Sequence, residues 1–134
     1  MIMFFEDIIF ENNYKDKQVE LYTCNDGFWL GNMFKKEYKG FKNYKPTKIR
    51  AKNEKDDLLL RIYELDFAIN DLSLYLDLHC DDLDVYKIFR SYVNEYNKLI
   101  EKYEIVYGPL ELNQSEYQNY EWANGLWPFE GVDI

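Results

Sequence analysis

The chain has 134 residues, a length that suits one domain and is too short for two independent cores. A hydrophobic content of 47% and an aromatic content of 19% argue against a disordered chain. The net charge is −9, but residues 1–50 hold nine Lys and Arg against seven Asp and Glu, whereas residues 51–134 hold seven against eighteen. This asymmetry favours contact between the two parts and argues against a nucleic-acid partner for the acidic part.

The two cysteines, Cys24 and Cys80, are too few for a disulfide framework. No apolar run approaches the roughly 20 residues that a membrane span needs. The first residues, MIMFFEDIIFEN, place Glu6 and Asp7 inside an apolar run and have no basic region, which is not typical of a signal peptide. We therefore expect a protein that is made inside the cell and is soluble there.

Residues 1–53 are predicted to form a segment that covers the helices. Its first ten residues are largely apolar and show no clear period. In residues 19–34, apolar and aromatic residues flank Asn25-Asp26-Gly27, a typical turn signal. This pattern predicts a small β-hairpin.

Residues 35–50, which we call the strap, carry a Lys or Arg at almost every third position with Tyr38, Phe41 and Tyr44 between them. Gly and Pro residues argue against a helix here. Alternating basic and aromatic residues can bind nucleic acid by charge and stacking. The acidic helices would compete for the same lysines, so we favour a strap whose aromatic side chains pack inward and whose lysines face solvent.

The central element is a helix from about residue 54 to residue 78. One apolar stripe recurs in steps of four and three and a second apolar set lies about 200° away, which predicts a helix buried on two faces. The stripe consists of Leu58, Ile62, Leu65, Ile69, Leu72 and Leu76, and the second set of Leu60, Phe67, Leu74 and Leu78. Asn53 is predicted to cap its start.

A second helix is predicted from about Leu83 to Tyr107. Its apolar stripe is Val85, Phe89, Tyr92, Tyr96, Leu99, Tyr103 and Val106, and Gly108-Pro109 ends it. Between the helices, His79, Asp81 and Asp82 form a turn in which His79 is expected to bond nearby carbonyls and the aspartates to cap the second helix. The fold class is therefore mainly α, with a long antiparallel helical hairpin over residues 54–107.

Residues 108–134 form an aromatic tail that is predicted to be extended. Large aromatic residues in an irregular segment either dock back onto the hairpin or insert into a partner, and both alternatives stay open. The candidate partner-binding residues are Tyr117, Tyr120, Trp122, Trp127, Pro128 and Phe129.

Three stretches carry a family resemblance: FAINDLSLYLDLH, the GPL after the second helix in YEIVYGPL, and the closing YEWANGLWPFE. Together they resemble the spore coat protein CotJB family over residues 54–130. Cys80 stands where that family has proline in its turn, and Leu126 to Phe129 stand where it has Pro-Trp-Pro-Trp. The stretch GFWLGNMFKKEYKGFKNYKP, within residues 27–46, is similar to the end of a companion CotJA-type coat protein.

The resemblance implies a component of the endospore coat, made in the mother-cell cytoplasm and deposited on the forespore. It implies assembly with a manganese catalase-like coat protein and no enzymatic activity of its own. The CotJA-like segment adds a CotJA-like coat protein as a further expected partner.

Catalysis by the chain itself is disfavoured by its residues. A dinuclear metal site in a helical bundle takes two Glu-x-x-His pairs, and the single histidine, His79, has Leu76 three residues before it. Asp77, His79, Cys80, Asp81 and Asp82 are clustered in one turn, whereas zinc sites normally combine two separated pairs of ligands. We expect neither a metal nor a cofactor.

Lys35, Lys36, Lys39 and Lys42 of the strap are predicted to pair with Glu64 and Asp71 of the central helix, in the same chain or in a neighbouring one. Cys24 and Cys80 are expected to be reduced, with cross-linking in the coat as the alternative.

The sequence thus predicts a structural coat component that associates with itself and with the catalase-like protein. Two alternatives remain: an escort that recruits the catalase without forming a lattice, and a metal-dependent enzyme subunit completed by another chain.

Overall fold

The computed structural model describes residues 19–111. They form three helices: α1 is Cys24–Leu30, α2 is Glu54–Leu78 and α3 is Leu83–Tyr107. α2 and α3 pack along each other as the two arms of a hairpin, and α1 packs against α2. Within this described part there is no sheet, only one antiparallel bridge between Leu21 and Phe34. The prediction of a mainly α fold with a helical hairpin is confirmed.

The ends of both long helices are fixed by side chains that the sequence places there. The Asn53 side chain accepts a hydrogen bond from the Asp56 amide at 2.8 Å, and Asp82 accepts one from the Val85 amide at 3.2 Å. α3 ends at Gly108, whose φ of 100° is rarely adopted by residues with a side chain. These caps satisfy backbone groups that have no partner inside a helix.

The core lies between α2 and α3. Leu65, Ala68 and Leu72 of α2 are fully buried, and Val85 of α3 is almost fully buried. α3 contributes partly buried side chains from its predicted stripe: Phe89, Tyr92, Tyr96 and Leu99. The predicted stripes therefore form the hairpin interface.

The outer ends of the predicted stripes do not follow the prediction. Val106 is exposed at the end of α3, and Leu74 and Leu78 of the second α2 set are exposed near the turn. The packed region stops before these positions, because α1 and the residues that follow it cover only part of the second face of α2.

The predicted β-hairpin around Asn25-Asp26-Gly27 is wrong. These residues lie in α1, which Thr23 begins by accepting a hydrogen bond from the Asp26 amide at 3.2 Å and Gly31 ends with a φ of 72°. A capping threonine and a terminal glycine spaced for a short helix outweigh the turn signal between them. The bridge between Leu21 and Phe34 then closes the chain around α1.

Residues 28–34 cover the second face of α2. Phe28 meets Phe67 edge to face with ring centroids 6.1 Å apart, and Phe34 lies against Tyr75 at 5.2 Å. Met33 is completely buried between these contacts. α2 is thus buried on two faces over its middle turns.

The strap contains neither helix nor strand, only turns. A hydrogen bond from the Tyr44 amide to the Phe41 carbonyl, 3.1 Å long, closes one of them. The expectation that its aromatic side chains pack inward is wrong: Phe41 is 83% exposed, and Tyr38 and Tyr44 are also exposed. Their neighbours along the chain are mostly charged, and α1 already occupies the face of α2 that they could have covered.

Candidate interaction surfaces

A polar junction joins α1, α2 and α3. Glu64 of α2 is only 5% exposed and accepts a hydrogen bond from the Asn25 side chain at 2.8 Å. Arg61 donates to Glu95 of α3 at 2.9 and 3.1 Å and to Glu64 at 3.4 Å. A buried carboxylate that keeps a cation and an amide donor is compensated for its lost hydration.

Asp71, on the same face of α2, accepts a hydrogen bond from the Met33 amide at 2.9 Å. Glu64 and Asp71 therefore bind the segment before the strap and not the strap itself. Both residues hold α1 and its flanking residues in register on α2.

The four strap lysines predicted to pair with Glu64 and Asp71 lie elsewhere. Lys36 pairs with Glu20 at 2.8 Å, and Lys35 lies over the Tyr22 ring at 5.9 Å. Lys39 and Lys42 are exposed and form no ion pair with any residue in the range 19–111. Within the chain, the structure does not bring the two predicted sets together.

Cys24, the first residue of α1, is buried, and its thiol shares a hydrogen bond with the Tyr92 hydroxyl. Burial raises the pKa of Cys24. Burial and the hydrogen bond with Cys24 raise the pKa of Tyr92 to about 12. Cys80 is exposed at the turn, and both thiols are free. Tyr92 lies nine residues into α3, about 14 Å along the axis from its start, so Cys24 is far from Cys80.

The turn between the long helices is fixed by Tyr75 and Asp82. The Tyr75 hydroxyl donates to the second oxygen of Asp82 at 2.7 Å, while the first oxygen caps α3. The His79 ring stacks on Tyr75 with centroids 4.4 Å apart, and its backbone N–H bonds the Tyr75 carbonyl. Asp81 is exposed beside them. The turn residues thus act in capping and stacking.

Nothing in the described part resembles a catalytic site. Residues 19–111 contain no group of three His, Cys, Asp or Glu side chains arranged to hold a metal ion. A shallow groove lies between residues 21–23 and α3, lined by Leu21, Tyr22, Thr23, Lys87, Ile88, Ser91 and Tyr92. A lone serine and lysine without a histidine or carboxylate beside them do not make a nucleophile and base pair.

Exposed apolar side chains cluster within one helical turn of the loop between α2 and α3. We call this set the turn patch: Leu74, Leu78, Leu83 and Tyr86. Leu78 is 80% exposed and Leu83 is 64% exposed. Residues 74–86 also include four aspartates and no Lys or Arg. The apolar residues of the turn patch therefore lie among acidic residues.

A second exposed apolar set lies at the other end of the hairpin, where α3 ends: Ile105, Val106 and Tyr107. The tail follows directly. Its candidate residues Tyr117, Tyr120, Trp122, Trp127, Pro128 and Phe129 lie outside the described residues.

No helix among residues 19–111 combines the length and the apolar character that crossing a membrane requires. Residues 56–130, more than half of the chain, match the family model described as CotJB protein. The chain belongs to the CotJB family. CotJB proteins are associated with the spore coat, so this chain is a spore coat protein. No curated protein and no solved structure matches it.

The matched region of this CotJB protein begins two residues into α2 and contains the rest of the hairpin. α1 and the strap precede it. The family match therefore covers the turn patch and the α2 and α3 side of the polar junction, whereas Asn25, Met33 and the strap lysines lie outside it.

Sequence reasoning missed three of the residues that organise these surfaces. The sequence pattern predicts a turn at Asn25, indicates no role for Arg61 and places Tyr92 only in the core stripe of α3. Arg61 could have been found from its spacing, because it lies three residues before Glu64 on the same face of the helix. Nothing in the sequence pairs Asn25 with Glu64, since 39 residues separate them.

Proposed function

We propose that this CotJB protein is a non-enzymatic assembly component of the spore coat, which associates with copies of itself and with a manganese catalase-like coat protein. The observation that carries the proposal is the amount of large apolar surface that the described part leaves exposed. Exposed patches of this kind mark interaction sites in soluble proteins.

The exposed surface has the chemistry of a protein interface. Aromatic side chains supply much of the binding energy at interfaces, and the strap presents three of them to solvent. Leucines of the turn patch and the apolar end of α3 add two further surfaces. A chain with several separated binding surfaces can contact several neighbours at once, as a coat component must.

The proposed partners rest on family membership and on the CotJA-like segment within residues 27–46. In this proposal the catalase-like protein supplies the metal chemistry, and the CotJB chain positions it in the coat. The tail residues from Tyr117 to Phe129 are proposed as the contact with that partner, because Trp and Tyr are the commonest interface anchors. Mother-cell synthesis and contact with a CotJA-like protein are part of the same proposal.

The first experiment measures the mass of the full chain in solution by light scattering over a range of concentrations. We expect species larger than a dimer that grow with concentration. A chain that stays monomeric but still captures the catalase-like protein would identify an escort, and the proposed self-association would then be rejected.

The second experiment tests the tail by co-purification with the catalase-like protein. A chain that ends at Tyr120 lacks both tail tryptophans and is expected to lose the partner while its far-UV circular dichroism stays helical. Full retention of the partner by this truncated chain would refute the tail contact. Loss of helicity would instead place the tail in the core of the protein.

A further inference from the structure

The strap and the turn patch have complementary surfaces. The strap holds seven Lys and Arg against one Glu, a net charge of +6, and residues 74–86 hold four Asp and no Lys or Arg. The strap exposes aromatic rings between its lysines, and the turn patch exposes leucines between its aspartates. The two surfaces thus carry opposite charge, and each exposes apolar side chains that the other can pack against.

The two surfaces of one chain do not cover each other. Phe41 and Leu78 are each at least 80% exposed, which could not be so if the strap lay over the turn patch. Lys39, Lys42, Asp77 and Asp81 are exposed as well. Among residues 19–111 nothing covers either surface, so another molecule can reach both.

The other acidic cluster of the hairpin, at the start of α2, is a poorer match for the strap. Asp56 accepts a hydrogen bond from the Lys52 amide at 3.2 Å, so part of its bonding capacity is used within the chain. Lys52 and Lys55 also lie among its acidic residues and reduce the local negative charge.

We infer that the strap of one copy docks on the turn patch of a second copy. This inference rests on the proposed self-association and names its two surfaces. Strap lysines lie against Asp77 and Asp81, and the rings of Phe41 and Tyr44 cover Leu78 and its neighbours. The occupant of the turn patch is thus this same chain.

The contact has a consequence for the form of the assembly. Strap and turn patch are different surfaces, so the contact is heterologous and leaves one free strap and one free patch at the ends of any row of copies. Heterologous contacts produce rings when their rotation closes and open-ended assemblies when it does not. A row of copies that can keep growing suits a coat.

A charge-swap experiment on the full chain tests the inference. The strap variant is Lys39→Glu with Lys42→Glu, and the turn variant is Asp77→Lys with Asp81→Lys. Each variant alone sets like charges against each other only at the changed positions. The strap falls from a net charge of +6 to +2 in the first variant, and residues 74–86 rise from −4 to 0 in the second, so each variant is expected to form smaller species than the unchanged chain by light scattering. Mixed in equal amounts, the two variants again pair opposite charges at every contact and are expected to recover large species.

A matched control changes two exposed lysines on α3, Lys98→Glu with Lys102→Glu, and is expected to assemble like the unchanged chain. All variants are checked for the helicity of the hairpin by circular dichroism. Since the six residues are exposed, the folded hairpin should tolerate each pair of changes.

Three results would overturn the inference. If the unchanged chain and both variants form equally large species, self-association stands but uses other surfaces. If the strap variant instead loses binding to a single-stranded RNA with its self-association intact, the strap is a nucleic-acid contact. If the unchanged chain is monomeric at every concentration, the proposed self-association fails together with this contact.

Discussion

At the scale of single residues, Cys24 and Tyr92 tie the stability of the fold to pH. Both side chains lie where α1 meets the hairpin, and they share a hydrogen bond. Burial raises both pKa values, from ordinary values of 9.0 for the thiol and 10.0 for the phenol. In the folded protein, both groups therefore stay protonated at a pH at which the unfolded chain has already begun to ionise.

We predict that the free energy of unfolding falls as the pH rises from about 9 to about 12. In this range the unfolded chain binds fewer protons than the folded chain, and stability then decreases with pH. Below this range both states are protonated and these groups add no pH dependence. Urea unfolding at a series of pH values measures the slope.

Tyr92→Phe is the matched variant for that measurement. It removes the phenol and keeps the ring, so we expect a shallower fall between about pH 10 and 12. Cys24, Tyr75, Tyr96 and Tyr103, whose pKa values burial also raises, contribute to the slope that remains. An unchanged slope in the variant would show that Tyr92 ionises at its ordinary pH.

Gly27 is a second position at which a single-residue change should alter stability, because the chain packs closely against its Cα. A Cβ at this position would collide with the sulfur of Met33, whose side chain is completely buried. Gly27→Ala should therefore destabilise the protein by about 1–3 kcal/mol through overpacking.

The control for Gly27 is Gly40→Ala, because a Cβ at Gly40 meets no atom within 4 Å. This change should alter the free energy of unfolding by less than about 0.5 kcal/mol. Both values come from chemical unfolding followed by circular dichroism. Equal effects of the two changes would mean that α1 does not pack as described.

At the scale of the helices, Arg61 links all three elements. It bonds Glu95 across the hairpin and Glu64 on its own helix, and Glu64 in turn holds Asn25 of α1. Arg61→Met keeps most of the side-chain volume but leaves Glu64, which is 5% exposed, without its cation.

We expect Arg61→Met to lower the free energy of unfolding by about 1–2 kcal/mol. A fully buried broken ion pair costs more, about 3–5 kcal/mol, but the Arg61 side chain is 38% exposed and solvent weakens its contribution. Arg90→Met, an exposed change on α3, should be nearly neutral. Equal stability of the two variants would contradict a structural role for the junction.

The hairpin could be predicted from the sequence because its signals are local and repeated. The stripes of α2 and α3, the Asn53 cap and the terminal Gly108 agree with one another, and each follows from the helical period or from backbone chemistry. α1 could not be predicted in this way. Its seven residues are too few to show a period, and the turn signal inside it competes with the caps that decide its conformation.

The candidate surfaces were only partly predictable. Capping by Asp82 follows from its position before an apolar period, and the basic, aromatic character of the strap can be read directly. The partners of Glu64 and Asp71 could not be predicted, since they depend on which segment covers the second face of α2. Asn25 and the Met33 amide reach that face because α1 is folded, which the sequence did not indicate.

At the scale of the whole molecule, charge is divided between segments that do not neutralise each other within the chain. The strap has a net charge of +6, and residues 51–111 hold seven Lys and Arg against fourteen Asp and Glu, a net charge of −7. Oppositely charged surfaces on the same chain favour association between copies and speed their encounter.

If this charge division drives self-association, raising the salt concentration should dissociate the assembled species into smaller ones. The screening length falls from about 10 Å at 0.1 M salt to about 3 Å at 1 M salt, so attraction between exposed lysines and aspartates is largely lost. Between these salt concentrations we expect the dissociation constant of the contact between two copies to rise by at least about tenfold, which weakens the binding free energy by ~1.4 kcal/mol. Sedimentation velocity at several salt concentrations measures it, with circular dichroism to show that the hairpin stays folded. Assembly through apolar contacts alone would persist or strengthen in salt, and that result would leave the strap without an electrostatic role.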